Sequence, residues 1–203
     1  MLKKSLLAKF LEFFGRKLSV NPKKLDDAPE LFRNMISGGP YGRIDLVDYL
    51  KKFLKKNFTD KLTSNSFKIY LYYGEGWGCG NFHSIYFDAN YNFVLFKNNK
   101  PICSIGFDLE ENDSRCVIRQ IQGVKNKNTE LCPFRWEKML VQIVLDWAKF
   151  HSIKQINIIR SRDSVWYSAC PEKKQHLYMK YDVTARRMGF RLDGAKKIYS
   201  LAL

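Results

Sequence analysis

The sequence predicts an α/β domain built on a mixed sheet, and three observations predict it. Val117-Ile118-Arg119-Gln120-Ile121-Gln122 alternates residue types as a strand does and halts at Gly123. From Pro133 onward Trp136, Met139, Leu140, Ile143, Val144, Trp147 and Phe150 recur at three and four, the spacing that lays one face of a helix on a core. Ile153 to Ile159 then resumes as a buried strand. Two strands joined through a helix run parallel in one sheet. The end of the first strand therefore lies beside the start of the helix, where small anionic ligands bind.

Before and after this unit the chain divides into further elements. Met1 to Leu18 sets Leu2, Leu6, Leu7, Phe10, Leu11, Phe14 and Leu18 at helical spacing among lysines and Arg16. Lys9 and Glu12 interrupt any signal-peptide core, so a cytoplasmic protein is expected. This helix either packs on its own domain or lies on an anionic membrane surface. Asp26-Asp27-Ala28-Pro29-Glu30 opens a short helix through Met35 that ends at Gly38-Gly39-Pro40. A second helix, through Ile44, Val47, Leu50, Phe53 and Leu54, carries Lys51, Lys52, Lys55 and Lys56 on a solvated face.

Composition turns from helical to strand-forming between Thr63 and Ser66. Residues 1–62 are thus expected to form a basic helical N-terminal region and residues 63–203 the α/β domain. Phe67 to Tyr72 alternates as a strand. Gly74, Gly76, Gly78 and Gly80 precede an aromatic strand, Phe82 to Phe87, so they form a hairpin or a mobile loop over a ligand rather than a dinucleotide fingerprint, which needs a helix next. Asn92 to Lys97, Pro101 to Leu109 and Arg115 to Gln122 make an antiparallel meander joined by short polar turns. His176 to Met188 reads as a helix ended by Gly189, and Lys197 to Leu201 as the last strand.

Lys and Arg number 35 against 20 acidic residues, a net charge of +15, which attracts nucleic acid, acidic lipid or phosphorylated small molecules without choosing among them. No apolar run reaches the roughly 18 residues of a membrane span. The five cysteines are odd in number and scattered, and read as reduced thiols. Cys79 and His83 are four apart but have no further ligands near them in sequence, so no metal is expected. His151 and His176 read as surface or packing residues.

An antiparallel meander, a parallel crossover through a long helix, a helix ending in Gly-Phe and a final strand resemble, over Phe67 to Leu203, the element order of the GNAT acyltransferases. In that family a Gln or Arg, two residues, Gly, one residue and a Gly or Ala follow the fourth strand, and their amides hold the pyrophosphate of acetyl-CoA. Gln120-Ile121-Gln122-Gly123-Val124-Lys125 matches the first Gln and the first Gly, with Lys125 in place of the second small residue. The resemblance implies an acyl-CoA-dependent N-acyltransferase that holds acetyl-CoA through Gln122, Gly123, Val124, Lys125 and Lys127. The family's usual acid, a Tyr four residues before the Gly-Phe turn, is Ala185 here. Tyr181, one turn earlier, is the candidate proton donor, or else a packing residue. Asp108 and Glu110 are carboxylates near a hairpin end and read as turn residues.

A second resemblance rests on Ile121-Gln122-Gly123 closing a strand, Arg135 opening the long helix, and Tyr181-Asp182 followed by Gly189 and a closing strand. These look like the VirK-type family, whose activity is not established. The alternative function is accordingly a non-catalytic protein of this shape that binds nucleic acid or anionic membrane through its basic face.

Overall fold

The structure, a computed structural model, describes residues 44–45, 60, 62–64, 66–73, 76–78, 85–110, 114–124, 128–131 and 135–203. Several expected features lie outside these residues: the helices at 1–18 and 26–35, the run from Lys51 to Lys56, the Cys79 and His83 pair, Lys125 and Lys127.

Among the described residues ten strands form two sheets. They are β1 (Ile44–Asp45), β2 (Phe67–Tyr73), β3 (Gly76–Gly78), β4 (Ile85–Phe87), β5 (Tyr91–Lys97), β6 (Lys100–Glu110), β7 (Arg115–Gly123), β8 (Gln155–Ile159), β9 (Arg191–Asp193) and β10 (Ile198–Ala202). The main sheet runs β1-β2-β5-β6-β7-β8-β10-β9, and β3 and β4 pair separately. All neighbours in the main sheet are antiparallel except β7 and β8, which are parallel. The expected meander and crossover are both present. The β5–β6 turn puts Asn98 and Asn99 at φ +50° and +59°, the left-handed pair that a two-residue hairpin requires and Asn tolerates.

One expectation changes. Ile44 does not open a helix: Ile44–Asp45 is a strand paired with Leu71 and Tyr70, so the edge of the sheet overrides the local helical pattern. Ile85–Phe87, the described part of the expected aromatic strand, pairs antiparallel with Gly76–Gly78, in line with the hairpin reading.

After β7 comes a short helix, α1 (Asn128–Leu131), then the long α2 (Trp136–Phe150). Beyond β8 lie a 3-10 turn (Ser161–Asp163), α3 (Val165–Ala169) and a second 3-10 turn (Pro171–Lys173). A continuous helical run is next: α4 (Lys174–Tyr178), a π-turn (Met179–Val183) and α5 (Thr184–Arg187). It ends at Gly189, φ +85°, where Phe190 N donates to Ala185 O at 3.0 Å and Gly189 N to Arg186 O at 3.1 Å, a Schellman closure.

The main core lies where α2 and this run meet one face of the sheet. Leu140, Ile143, Val144 and Trp147 of α2, with Leu177, Tyr181 and Ala185, pack with Phe93, Ile105, Phe107, Ile118 and Ile156. A smaller cluster joins Tyr70, Tyr72, Val94 and Phe96 to Ile85 and Phe87 of β4. Among the described residues no helix is long and apolar enough to cross a membrane.

Candidate functional site

The feature that sets this site is where β7 and β8 part. Their parallel ladder runs from Arg115 and Gln155 to Ile118 and Ile158 and stops, while β7 continues to Gly123. On its other side β7 stays paired with β6 through Gly123, and the register shifts between Gly106 and Phe107, which leaves Arg119 as the extra residue of a bulge. Past the bulge, alternate residues turn their backbone groups to opposite sides. Val124 N donates to Ile102 O at 2.9 Å, on the β6 side. Ile121 faces the gap, and its N–H donates to the Tyr181 hydroxyl at 3.2 Å. By the same alternation the Ile121 carbonyl and the Gly123 N–H point into the gap, and no hydrogen bond among the described residues uses either.

The π-turn faces this gap. A residue added to a helical turn rotates every later side chain around the axis, and here Lys180, Tyr181 and Asp182 are all buried in succession. Tyr181 donates its hydroxyl proton to Arg119 O at 3.1 Å while accepting from Ile121 N, so it bridges the bulge. Enclosure pushes its pKa well above the ordinary phenol value, and the group stays protonated. Asp182 accepts from Ser161 N at 2.9 Å and from the Tyr199 hydroxyl at 3.1 Å, which ties the π-turn to the ends of β8 and β10. Arg186 donates to the Tyr199 hydroxyl at 3.2 Å.

Lys180 is 7% exposed, and its Nζ lies 5.4 Å from the centre of the Trp136 ring. Burial lowers its pKa to about 8, with Glu137 and Cys103 opposing that shift and Lys173 adding to it. The Trp136 ring in turn lies against Gly123: a Cβ added there would meet ring carbons at 3.2 and 3.3 Å. Lys180, Trp136 and Gly123 thus form one stack at the end of β7, across the last rung from Cys103.

On the opposite face of the sheet, Gln120 donates to Tyr86 O, to Asp88 Oδ2 at 3.2 Å and to Gln122 Oε1 at 3.0 Å. Trp166 of α3 reaches the same Asp88 oxygen at 2.9 Å and meets the Tyr86 ring edge-on. Among the described residues, buried oxygens of Gln120, Asn92 and Ser104 have no hydrogen-bond partner.

The expected site residues are only partly brought together. Gln122 and Gly123 sit at the end of β7 with Tyr181 and Lys180 beside them. The Val124 amide is spent on Ile102, and its side chain packs with the Tyr70 and Phe96 cluster. Tyr181 is a core residue that braces the strand. Asp108 and Glu110 hold Arg119, with Arg115 also on Glu110 and the Asn90 backbone on Asp108. Cys103 and Cys116 are free, buried thiols, and burial raises the pKa of each. Among the described residues no group of three or more His, Cys, Asp and Glu is placed to hold a metal. Sequence reasoning missed Lys180, Asp88 and Trp166. No protein-family model matches the chain, and no curated protein is significantly similar to it.

Proposed function

We propose that the chain is an acyl-CoA-dependent N-acyltransferase of GNAT-like architecture. The observation that carries this reading is the edge of β7 beyond Ile118, where the carbonyl of Ile121 and the N–H of Gly123 have no partner among the described residues, in the middle of a sheet. An extended ligand that bears amides, such as the pantetheine arm of acetyl-CoA, adds to such an edge as a strand would. The sheet order and the single parallel pair around α2 support the same reading, as does the ammonium of Lys180 close to where the anionic part of the ligand would lie.

In this reading the thioester is the acyl donor and an amine attacks it directly. The β7 edge orients the thioester. Tyr181 keeps the bulge open by holding Arg119 and Ile121, and it can protonate a leaving thiolate once its bond to Arg119 O is released. Asp88, on the far face, is the carboxylate best placed to accept a proton from an incoming amine.

Acetyl-CoA should raise the melting temperature, since a ligand that only the folded state binds adds about 2.7 kcal/mol at one hundred times its dissociation constant. The absence of a shift at millimolar acetyl-CoA would overturn the proposal.

A second reading, a non-catalytic protein that binds polyanions, is favoured by one observation: Trp136 and Tyr181 already occupy much of the space around Gly123 and Ile121. It expects binding to nucleic acid or anionic vesicles that weakens steeply with salt.

A further inference from the structure

We propose that Lys180 is a self-acylation site, its amine taking the acyl group of a thioester held at the open edge of β7. The inference rests on the acyltransferase reading for its donor, and on three features of the site for the acceptor. Lys180 comes from the π-turn that braces that edge, and its Nζ lies over the Trp136 ring that covers Gly123. Among the described residues no carboxylate forms an ion pair with it and no group accepts a hydrogen bond from it. The residue is 7% exposed, so the amine is held within the site rather than free on the surface.

An amine in this position is nucleophilic. Most buried lysines are neutralised by a carboxylate; here the charged groups that act on Nζ are Glu137 from α2 and Lys173 from the 3-10 turn before the helical run, with the Cys103 thiol of β6. Burial, with Lys173 adding to it, outweighs Glu137 and Cys103 and leaves the lysine with a pKa of about 8, so a fraction of it is free amine near neutrality. A surface lysine is almost wholly protonated there.

The step balances without a further reactant. The unprotonated Nζ attacks the thioester carbonyl carbon, the C–N bond forms as the C–S bond breaks, and the thiolate departs. The surplus proton on nitrogen passes to water or to the thiolate. The product is a neutral amide, which removes the cation from the Trp136 face. Acylation therefore converts an anion-attracting site into an apolar one, and a chain so modified should bind acetyl-CoA less well.

The test uses the full chain with two donors, acetyl-CoA and S-acetyl-N-acetylcysteamine, which has the thioester but no nucleotide. Peptide mapping gives a labelling rate for each lysine, and melting temperature reports acetyl-CoA binding separately. Lys180 should label about tenfold or more faster than exposed lysines at neutral pH, its excess of free amine being partly offset by the weaker nucleophilicity of a less basic nitrogen. Its rate should level off above about pH 8 while those of surface lysines keep rising. Lys180→Arg should remove this label and leave the others. If acetyl-CoA raises the melting temperature but Lys180 labels no faster than exposed lysines, the inference fails and the acyltransferase reading stands. Selective labelling by the small thioester without an acetyl-CoA shift upholds Lys180 as the acylated residue and removes acetyl-CoA as its donor. Neither effect would overturn both.

Discussion

The Tyr181 hydroxyl donates to the Arg119 carbonyl at 3.1 Å and accepts from the Ile121 amide at 3.2 Å, so one side chain from a helix satisfies two backbone groups of a strand that has lost its neighbour. Phenylalanine at this position keeps the packing and strands both groups in a dry environment. Tyr181→Phe should cost about 1–3 kcal/mol in urea denaturation, the penalty for buried groups left unpaired. Hydrogen exchange at the Ile121 amide should accelerate more than at amides in the β5–β6 ladder. Unchanged exchange at Ile121 would mean that the hydroxyl does not hold the bulge.

Lys180 makes stability depend on pH in a definite direction. Its pKa is lowered from 10.5 to about 8 on folding, so between these values the unfolded chain binds a proton that the folded chain does not. Its destabilising effect is complete below about pH 8 and fades as pH climbs to 10.5. Lys180→Met should thus stabilise the chain at pH 7 by roughly 1–3 kcal/mol, and the gain should shrink toward zero near pH 10. Chemical denaturation of both proteins at the two pH values checks this.

Gly106 has no room for a side chain. A Cβ there would lie 2.6 Å from Asn92 Oδ1 and 3.2 Å from the Cβ atoms of Ala89 and Gln120. Asn92 cannot easily yield, being fully buried with its amide donating to Ala89 O at 2.8 Å. Gly106→Ala should destabilise by about 1–3 kcal/mol, as overpacking does. Asn92→Ala in the Gly106→Ala background should recover part of that loss, and a double-mutant cycle measures the coupling.

Asp182 joins three segments, the π-turn, the turn after β8 and β10, through Ser161 N and the Tyr199 hydroxyl. Asp182→Ala should cost about 3 kcal/mol, since two buried donors lose a charged acceptor. Tyr199→Phe removes one of these bonds and should cost less. If the two losses add in the double variant, Asp182 and Tyr199 are not coupled.

Much of the sheet was legible because its signals are local. Asn98-Asn99 names its own turn, Gly189 its own helix end, and the apolar residues of α2 repeat at one period over 15 residues. What was not legible arises from long-range pairing or from phase. Ile44 reads as helical until β2 offers it an edge. α3, of five residues, and β9, of three, are too short to show a period. Lys180 looks like any surface lysine in Lys173-Lys174-Gln175-His176-Leu177-Tyr178-Met179-Lys180, because the helical period there does not mark it as facing the core. The π-turn turns it inward beside Tyr181 and Asp182, and the signal for that in the sequence is faint: a lysine and an aspartate flanking a tyrosine. Likewise Asp88 and Trp166 are 78 residues apart and meet only once β4 and α3 are in place.

β10 lies between β8 and β9 although it comes after both in the chain. While the polypeptide emerges from the ribosome, β8 therefore has one bare flank with Ile156 and Ile158 waiting for Tyr199 and Leu201 to arrive. Such an interval invites off-pathway pairing with another nascent chain, and it makes the closing strand the step at which chaperone dependence should concentrate.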